Sequence, residues 1–468
     1  MSRSSDVRAV AVELYLLPVT TRVPLKFGTS VVQQVSVARV KVCVEDRRGN
    51  PAEGWGETPL SVAWGWPSDC DYGERQARVE SLARVLTKAW VDFGEYGHPL
   101  ELGQAFLRHE LPRLLREHNH AHPGAEGMPW LAALITSSAF DLALHDAFGQ
   151  LHQKPVYALY GEDWLGSDLG NFLEPASGCA VASFHGLRPD VFLVPQPAQH
   201  LPAWHLVGGL DPLSPADLSG DEPRDGYPVL LADWIARDGL KCLKIKLRGN
   251  DPEWDHARMV EVGRLGLACG VEWFSADFNC TAPDAAAVND ALDRLLREAP
   301  DVFARLLYVE QPFPYDLHAN AWDVRSVSAR KPLFMDESAH DWEMIRMGRD
   351  LGWSGVALKT CKTQTGAILS ACWAKAHGMP LMVQDLTNPM LSMMPHVQLA
   401  AQVGTIMGVE TNAPQFYPEA SKPEAEIHPR LYRRENGVVS LETLGPIGFG
   451  YRLGEICREL PPPAAIAG

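Results

Sequence analysis

The chain has no CxxC pair and no zinc-type Cys/His spacing, although nine cysteines are scattered through its 468 residues. A disulfide framework and a small structural zinc module are therefore excluded as organising principles. No run reaches about 18 consecutive apolar residues, and Met1–Val12 has no apolar leader segment, so the expectation is a protein of the reduced cytoplasm. Basic residues are outnumbered, 42 Lys and Arg against 58 Asp and Glu, for a formal net charge of −16. That balance excludes nucleic acid and an anionic membrane as general partners. A small anion could bind only where lysine or a metal ion reverses the field locally.

What the chain does have is apolar material, 46% of its residues. The length suits one barrel of roughly 250 residues plus a second domain. Residues 1–66 read as strands and turns, with Val7–Val19 and Val35–Glu45 alternating apolar and polar positions. Two stretches read as loops, Thr20–Ser30 and Gly54–Pro67, the second carrying Trp55, Trp64 and Trp66. Core packing is the expectation for those tryptophans, with a cover over a ligand site as the alternative. Residues 71–118 carry helical spacing, and His118–His122 reads as a surface loop. Residues 129–152 form a strong helix whose Asp141, His145 and Asp146 are read as structural polar contacts. Residues 161–200 read as a connector or insertion, and Gly208–Pro228 as a long acidic loop.

From Leu201–Val207 onward the pattern is strand then helix. Lys244-Ile245-Lys246 is followed after 31 residues by Asp277-Phe278-Asn279, after 33 more by Glu310-Gln311-Pro312, after 26 by Asp336-Glu337-Ser338 and after 23 by Lys359. Each charged residue closes a short apolar run, and each gap has room for a helix. Met382–Asp385 and Ile406–Glu410 complete eight strands of an α/β barrel, with functional groups at the strand C-termini. Asp251-Pro252 is a helix start, and Val288, Leu292, Leu295 and Leu296 give the next helix an apolar face.

Side chains two apart on a strand share a face, so Lys244 and Lys246 point inward together, and Lys359 is the inward lysine of its strand. Asp277, Glu310 and Asp336 then come from three consecutive strands spaced about 4.8 Å apart, an oxygen set suited to a hard cation such as Mg2+. Lysine is a poor base at its ordinary pKa of about 10.4, but a neighbouring cation and partial burial should lower it. A cation-bound carboxylate has an acidified α-proton, and lysines flanking the metal strands would address opposite faces of that carbon. Two other classes remain open. One is a lyase that forms a Schiff base on one barrel lysine. The other is a non-catalytic metal- or ligand-binding barrel.

The set Lys244-x-Lys246, Asp277-x-Asn279, Glu310-Gln311-Pro312, Asp336-Glu337-Ser338 and Lys359 resembles the enolase superfamily, in its muconate-lactonizing enzyme branch. The segment Ser138–Gly161 is similar to the one preceding the barrel there. The resemblance implies a (β/α)7β modified TIM barrel over 201–429. It also implies an α+β capping domain over 1–160, completed by the tail 430–468, with loops near 20–30 and 55–66 covering the substrate. It further implies Mg2+ ligands at Asp277, Glu310 and Asp336, an acid/base pair in Lys246 and Lys359, and a charge-supporting role for Lys244. The implied activity is removal of the proton α to a small-molecule carboxylate, ending in racemisation or epimerisation, cycloisomerisation or elimination. Oligomeric state is left open, although members of this family often form homo-oligomers. The eighth strand reads Glu410-Thr411-Asn412 instead of the Asp-x-Asp with which dipeptide epimerases hold an ammonium, and no histidine–aspartate base is matched. Asn279, Asp385, Asn388, Glu410 and Asn412 are the expected supporting or substrate-contacting residues.

Overall fold

The computed structural model describes residues 3–28, 30–123, 126–177 and 183–468. The N-terminal part is an antiparallel sheet of β1 (Val7–Phe27), β2 (Ser30–Asp46) and β3 (Pro51–Pro59), with helices packed beside it. The stretch Thr20–Ser30, expected as a loop, is mostly strand: β1 and β2 stay paired out to Phe27 and Ser30, with one irregularity between Thr20 and Leu25. Gly54–Pro59 is likewise the body of β3, and only the short helix α1 (Val62–Gly65) departs from it. The reasons differ: at the hairpin tip only Leu25 is buried among the described residues of 20–30, so no apolar alternation shows, whereas Gly56–Pro59 of β3 are buried without a break, which removes the polar alternation that marks a half-exposed strand.

Helices α2 (Tyr72–Phe93), α3 (Pro99–Ala105), α4 (Leu111–His120) and α5 (Trp130–His152) follow. Asp71 starts α2 by accepting from the Glu74 N–H, which satisfies one of the helix's orphan donors. His118 and His120 lie in the last turn of α4, not in a loop. By length and composition α5 could cross a membrane, but it is wholly buried as the core helix of this unit. It lies flat on β3 because Gly54 and Gly56 have no side chain. A Cβ on Gly56 would stand 2.1 Å from the Ala139 carbonyl oxygen.

The second unit is a curled parallel sheet. Its strands are β4 (His200–Val207), β5 (Cys242–Lys246), β6 (Trp273–Asp277), β7 (Leu306–Glu310), β8 (Leu333–Met335), β9 (Gly355–Leu358), β10 (Leu381–Val383) and β11 (Val409–Glu410). They pair in chain order from β4 to β10, and β11 pairs with β4, which bends the sheet round toward closure. Between them run α6 (Leu231–Asp238), α7 (Pro252–Ala268), α8 (Ala285–Glu298), α9 (Pro300–Arg305), α10 (Arg325–Ser328), α11 (Trp342–Leu351), α12 (Gln364–Ala376) and α13 (Met393–Val403). This is the (β/α)7β architecture, with α10 shortened to about one turn. Asp251, Asp284 and Asp341 each accept an N–H at the start of their helices. The apolar face of α8 is Val288, Leu292 and Leu295, whereas Leu296, expected on it, is 48% exposed.

Inside the sheet, Trp204, Cys242, Tyr308, Phe334 and Met382 form one apolar layer. Leu243, Ile245 and Leu247 face the other way, into the large core under the helices. The tail touches both units: β12 (Val438–Ser440) pairs with β4, and β13 (Ala465–Ala467) pairs with β1. The connector lies against the barrel helices, its Glu174 carbonyl accepting from the Trp373 indole at 2.9 Å and its Val194 N–H donating to Gln402 at 2.7 Å. The acidic loop instead meets the N-terminal hairpin, where Arg22 pairs with Asp225 at 2.6 Å.

Candidate active site

Above the apolar layer the inward positions turn polar, two residues further along each strand. Cys242 gives way to Lys244 and Lys246, Tyr308 to Glu310, and Ser275 to Asp277. The register sets Lys246 opposite Asp277 and Asp277 opposite Glu310. Lys244 donates to Glu310 at 2.6 Å and stands 3.2 Å from Asp277 and 3.3 Å from Glu410. Lys246 donates to Asp277 and, at 3.1 Å, to Asn279. Across the barrel, Lys359 lies 3.0 Å from Asp336 and donates to the Asp385 carbonyl at 2.9 Å. All of these side chains except the half-buried Asn279 are buried.

The six predicted groups Lys244, Lys246, Asp277, Glu310, Asp336 and Lys359 therefore gather at one barrel mouth. They are held there as ion pairs. Among the described residues no three His, Cys, Asp or Glu side chains form a ready-made metal cluster. Lys244 stands between Asp277 and Glu310, and two lysines claim Asp336. The donor set still fits a hard divalent cation, because it consists of buried carboxylates crowded against one another. Burial pushes Glu310 well above the usual carboxylate range, and the negative charges of Asp277 and Asp336 add to the shift. Burial acts the same way on Asp277, but Lys246 and Lys244 beside it hold it well below that range. Burial would lower Lys359, yet Asp336 raises it above the ordinary lysine range, opposite to the lowering expected of a working base. The carboxylate facing it is the cause: in this arrangement Lys359 is an ion-pair partner.

Four groups were given no role in the sequence reading, which set Lys362 aside in favour of Lys359 and quoted Gln311 and Glu337 only as parts of motifs. Lys362 also reaches Asp336, at 3.2 Å, because β9 ends at Leu358 and the chain curls through a tight turn over Thr360–Lys362. The two-residue alternation used to prefer Lys359 stops applying there. The Thr363 side chain, which caps α12, was the available signal for that turn. Gln384 donates to Glu310 and, at 3.1 Å, to the Tyr308 hydroxyl. Parity with the inward Met382 would have found it. Gln311 accepts from the Asp336 N–H at 2.8 Å and donates to Ser338 at 2.7 Å, fixing one strand end against the next. Glu337 is buried with one carboxylate oxygen unpartnered, and burial, then Asp336 and Asp277, raise its pKa to about 7.

The supporting residues divide. Asn279, at a left-handed φ of 53°, positions Lys246 while its own amide donates to the Leu247 carbonyl at 2.8 Å. The Asn388 N–H donates to Asp385 at 2.8 Å, which makes it a support for that carboxylate. Asp385, Glu410 and Asn412 line a cavity together with Lys246 and Lys359. Its roof is the N-terminal unit: Phe27, Val32 and Val35 from the hairpin and Trp64 from α1. Trp64 sets its ring 4.6 Å from the Lys359 ammonium and so takes the covering role. Trp66 is instead fully buried under Arg78, and Trp55 stacks on Tyr15. Asp141, His145 and Asp146 are structural as expected, bonding Thr365, Tyr160 and the Phe449 N–H.

Residues 229–455 match the family model described as Enolase C-terminal domain-like. No curated protein sequence matches the chain. Among solved structures, the N-succinyl Arg/Lys racemase from Bacillus cereus aligns over 98% of this chain and 100% of its own, at 17% identity and a TM-score of 0.60. The dipeptide epimerase from Enterococcus faecalis, complexed with Mg and the dipeptide L-Leu-L-Tyr, aligns over 95% and 99% respectively, at 15% identity and a TM-score of 0.60. The muconate lactonizing enzyme from Pseudomonas fluorescens, complexed with muconolactone, aligns over 86% and 87%, at 17% identity and a TM-score of 0.53.

Proposed function

We propose that the chain, whose residues 229–455 match the Enolase C-terminal domain-like family model and whose fold is shared with racemases and muconate lactonizing enzymes, is a Mg2+-dependent enzyme that removes the proton α to a substrate carboxylate. One observation carries the reading. Lys246 on the second barrel strand and Lys359 at the end of the sixth line the same cavity, with Asp277, Glu310 and Asp336 on the strands between them. Asp277, Glu310 and Asp336 are the residues that would hold the cation, and bound Mg2+ would supply the positive charge that acidifies the α-proton of a carboxylate beside it.

The remaining work falls to this chain's own groups. One of Lys246 and Lys359, in its neutral form, takes the α-proton: the C–H bond breaks, an N–H bond forms, and the electron pair moves toward the carboxylate. The other, protonated, faces the opposite side and can return a proton or stabilise charge. Lys244 keeps Glu310, Asp277 and Glu410 from repelling one another, and Asn279 and the Asp385 carbonyl aim the two lysines. Trp64 and the hairpin exclude water from above. Racemisation, cycloisomerisation and elimination all begin with this step.

The test is α-proton exchange of candidate carboxylates in deuterated solvent, followed by NMR with Mg2+ and with chelator. Exchange that needs the cation supports the reading. Borohydride trapping of a covalent adduct on either lysine, indifferent to chelator, would replace it with Schiff-base chemistry.

A further inference from the structure

The loop that carries Asp385 is bent in a way its sequence does not favour. It joins β10 to α13, and its Asp385, Leu386 and Thr387 line the cavity shared by Lys246 and Lys359. Thr387 and Met390 both hold left-handed backbone, with φ of 57° and 48°. A residue with a Cβ is disfavoured there, a β-branched one most of all, so the surroundings must impose the bend.

The groups that impose it come from beyond the eighth strand. The Met390 N–H donates to the Ser421 hydroxyl at 3.0 Å, and the Tyr432 hydroxyl donates to the Met390 carbonyl. Ser421 precedes the short helix Lys422–Ile427, and Tyr432 ends the next one, Pro429–Tyr432. Met390, Ser421 and Tyr432 are all buried. One contact fixes the peptide group before the Met390 Cα and the other fixes the one after it, so together they set both backbone angles of that residue. Just downstream, the Ser392 hydroxyl donates to the Pro389 carbonyl, and the Ser392 N–H donates to Glu57 of β3 at 3.2 Å.

The bend is stiff from Met390 back to Asp385. Only Leu386, Thr387, Asn388 and Pro389 lie between them, and the proline ring fixes its own φ and restricts Asn388 before it. The Asn388 N–H closes onto the Asp385 carboxylate at 2.8 Å. At the far end the Asp385 carbonyl accepts from the Lys359 ammonium at 2.9 Å, while Asp336 holds the same ammonium from 3.0 Å. Lys246 is supported separately, by Asp277 of β6 and by Asn279 in the turn after it.

We infer that Tyr432 and Ser421 are positioning residues for Lys359: they pin Met390, the pinned bend sets the Asp385 carbonyl, and that carbonyl holds the ammonium where it can address the substrate carbon. Neither residue lines the cavity, so they act only through this backbone. The inference rests on the proton-abstraction reading and adds that the two faces of the substrate depend on separate supports.

Two measurements test it. The first is α-proton exchange in deuterated solvent with Mg2+, on the separate enantiomers of mandelate and of N-acetyl amino acids, by the wild-type protein, Lys359→Ala, Tyr432→Phe and Ser421→Ala. Tyr432→Phe and Ser421→Ala should each slow, by about tenfold, the enantiomer whose exchange Lys359→Ala abolishes, and leave the other within about twofold, tenfold being the rate equivalent of one hydrogen bond. Equal slowing of both enantiomers, the mark of a merely structural role, or slowing of neither, overturns the inference. The second is a crystal structure of the double variant Ser421→Ala, Tyr432→Phe, which needs no substrate. The Asp385 carbonyl should lie beyond hydrogen-bond distance of Lys359, with the ammonium left to Asp336; a carbonyl still in place overturns the inference. Should the double variant not fold, the single variants serve. If no carboxylate exchanges with the wild-type protein, proton abstraction is the reading that fails, and the crystal structure still decides the positioning.

Discussion

His98 offers a quantitative test of how the N-terminal unit is held together. It is buried at the start of α3, where its Nδ1 accepts from the Leu100 N–H and its Nε2 donates to the Leu159 carbonyl, both at 3.0 Å. That pattern requires the neutral ring with the proton on Nε2, because an imidazolium could not accept from Leu100. Burial is the main cause that lowers its pKa to about 4, from an ordinary 6.5, against a smaller opposing effect of Glu101. The folded pKa lies below the unfolded one, so the stability His98 contributes is present above pH 6.5 and is lost as pH falls toward 4. Between pH 8 and pH 5 the unfolded ring gains a proton that the folded ring refuses, a loss of about 2 kcal/mol. His98→Asn keeps a side-chain oxygen for the Leu100 N–H but cannot titrate. Urea unfolding of both proteins at pH 8 and pH 5 should therefore show the wild-type advantage shrinking by about 2 kcal/mol at the lower pH. An advantage that stays constant across this range would refute the neutral, buried assignment.

Further outcomes follow from the packing and the site. Arg39 is buried between Glu57 of β3 and Glu424 beyond the barrel, so Arg39→Met leaves two acids facing each other and should cost about 3–5 kcal/mol in urea unfolding. Gly56→Ala places a methyl group against the Ala139 carbonyl and should lower stability by about 1–3 kcal/mol, read as a fall in Tm. Mg2+ at about a hundred times its Kd should stabilise the wild-type protein by about 2.7 kcal/mol in thermal melts, a shift that Asp277→Asn and Asp336→Asn should largely remove. Equal Mg2+ shifts in those variants would place the cation elsewhere.

Legibility followed periodicity. The barrel strands could be located because each ends an apolar run on a charged residue at a regular interval, and Lys244 and Lys246 could be assigned inward because strands alternate by two. The same rule failed at Lys362, where the strand had already turned. It was not applied at Gln384, which is neutral and so lacked the charge that drew attention to its neighbours. The hairpin of β1 and β2 was read short, because its tip is largely solvent-facing and, of the described residues 20–31, only Leu25 is buried, so no apolar alternation marks it. Long-range electrostatics were the least legible. The ion pairs of Lys244 with Glu310 and Glu410 join residues 66 and 166 positions apart, and no local pattern announces them. Asn412 was named from its position near a strand end, but its unpartnered oxygen depends on where the Glu410 carboxylate lies.

The central claim is that two lysines reach one substrate carbon from opposite faces. Its most direct measurement is α-proton exchange of each enantiomer of a turned-over carboxylate by Lys246→Ala and Lys359→Ala, in deuterated solvent with Mg2+. The account predicts that each variant loses overall turnover yet retains exchange with one enantiomer, and that the two variants retain opposite ones. Full turnover in both variants, or retention of the same enantiomer by both, would contradict it.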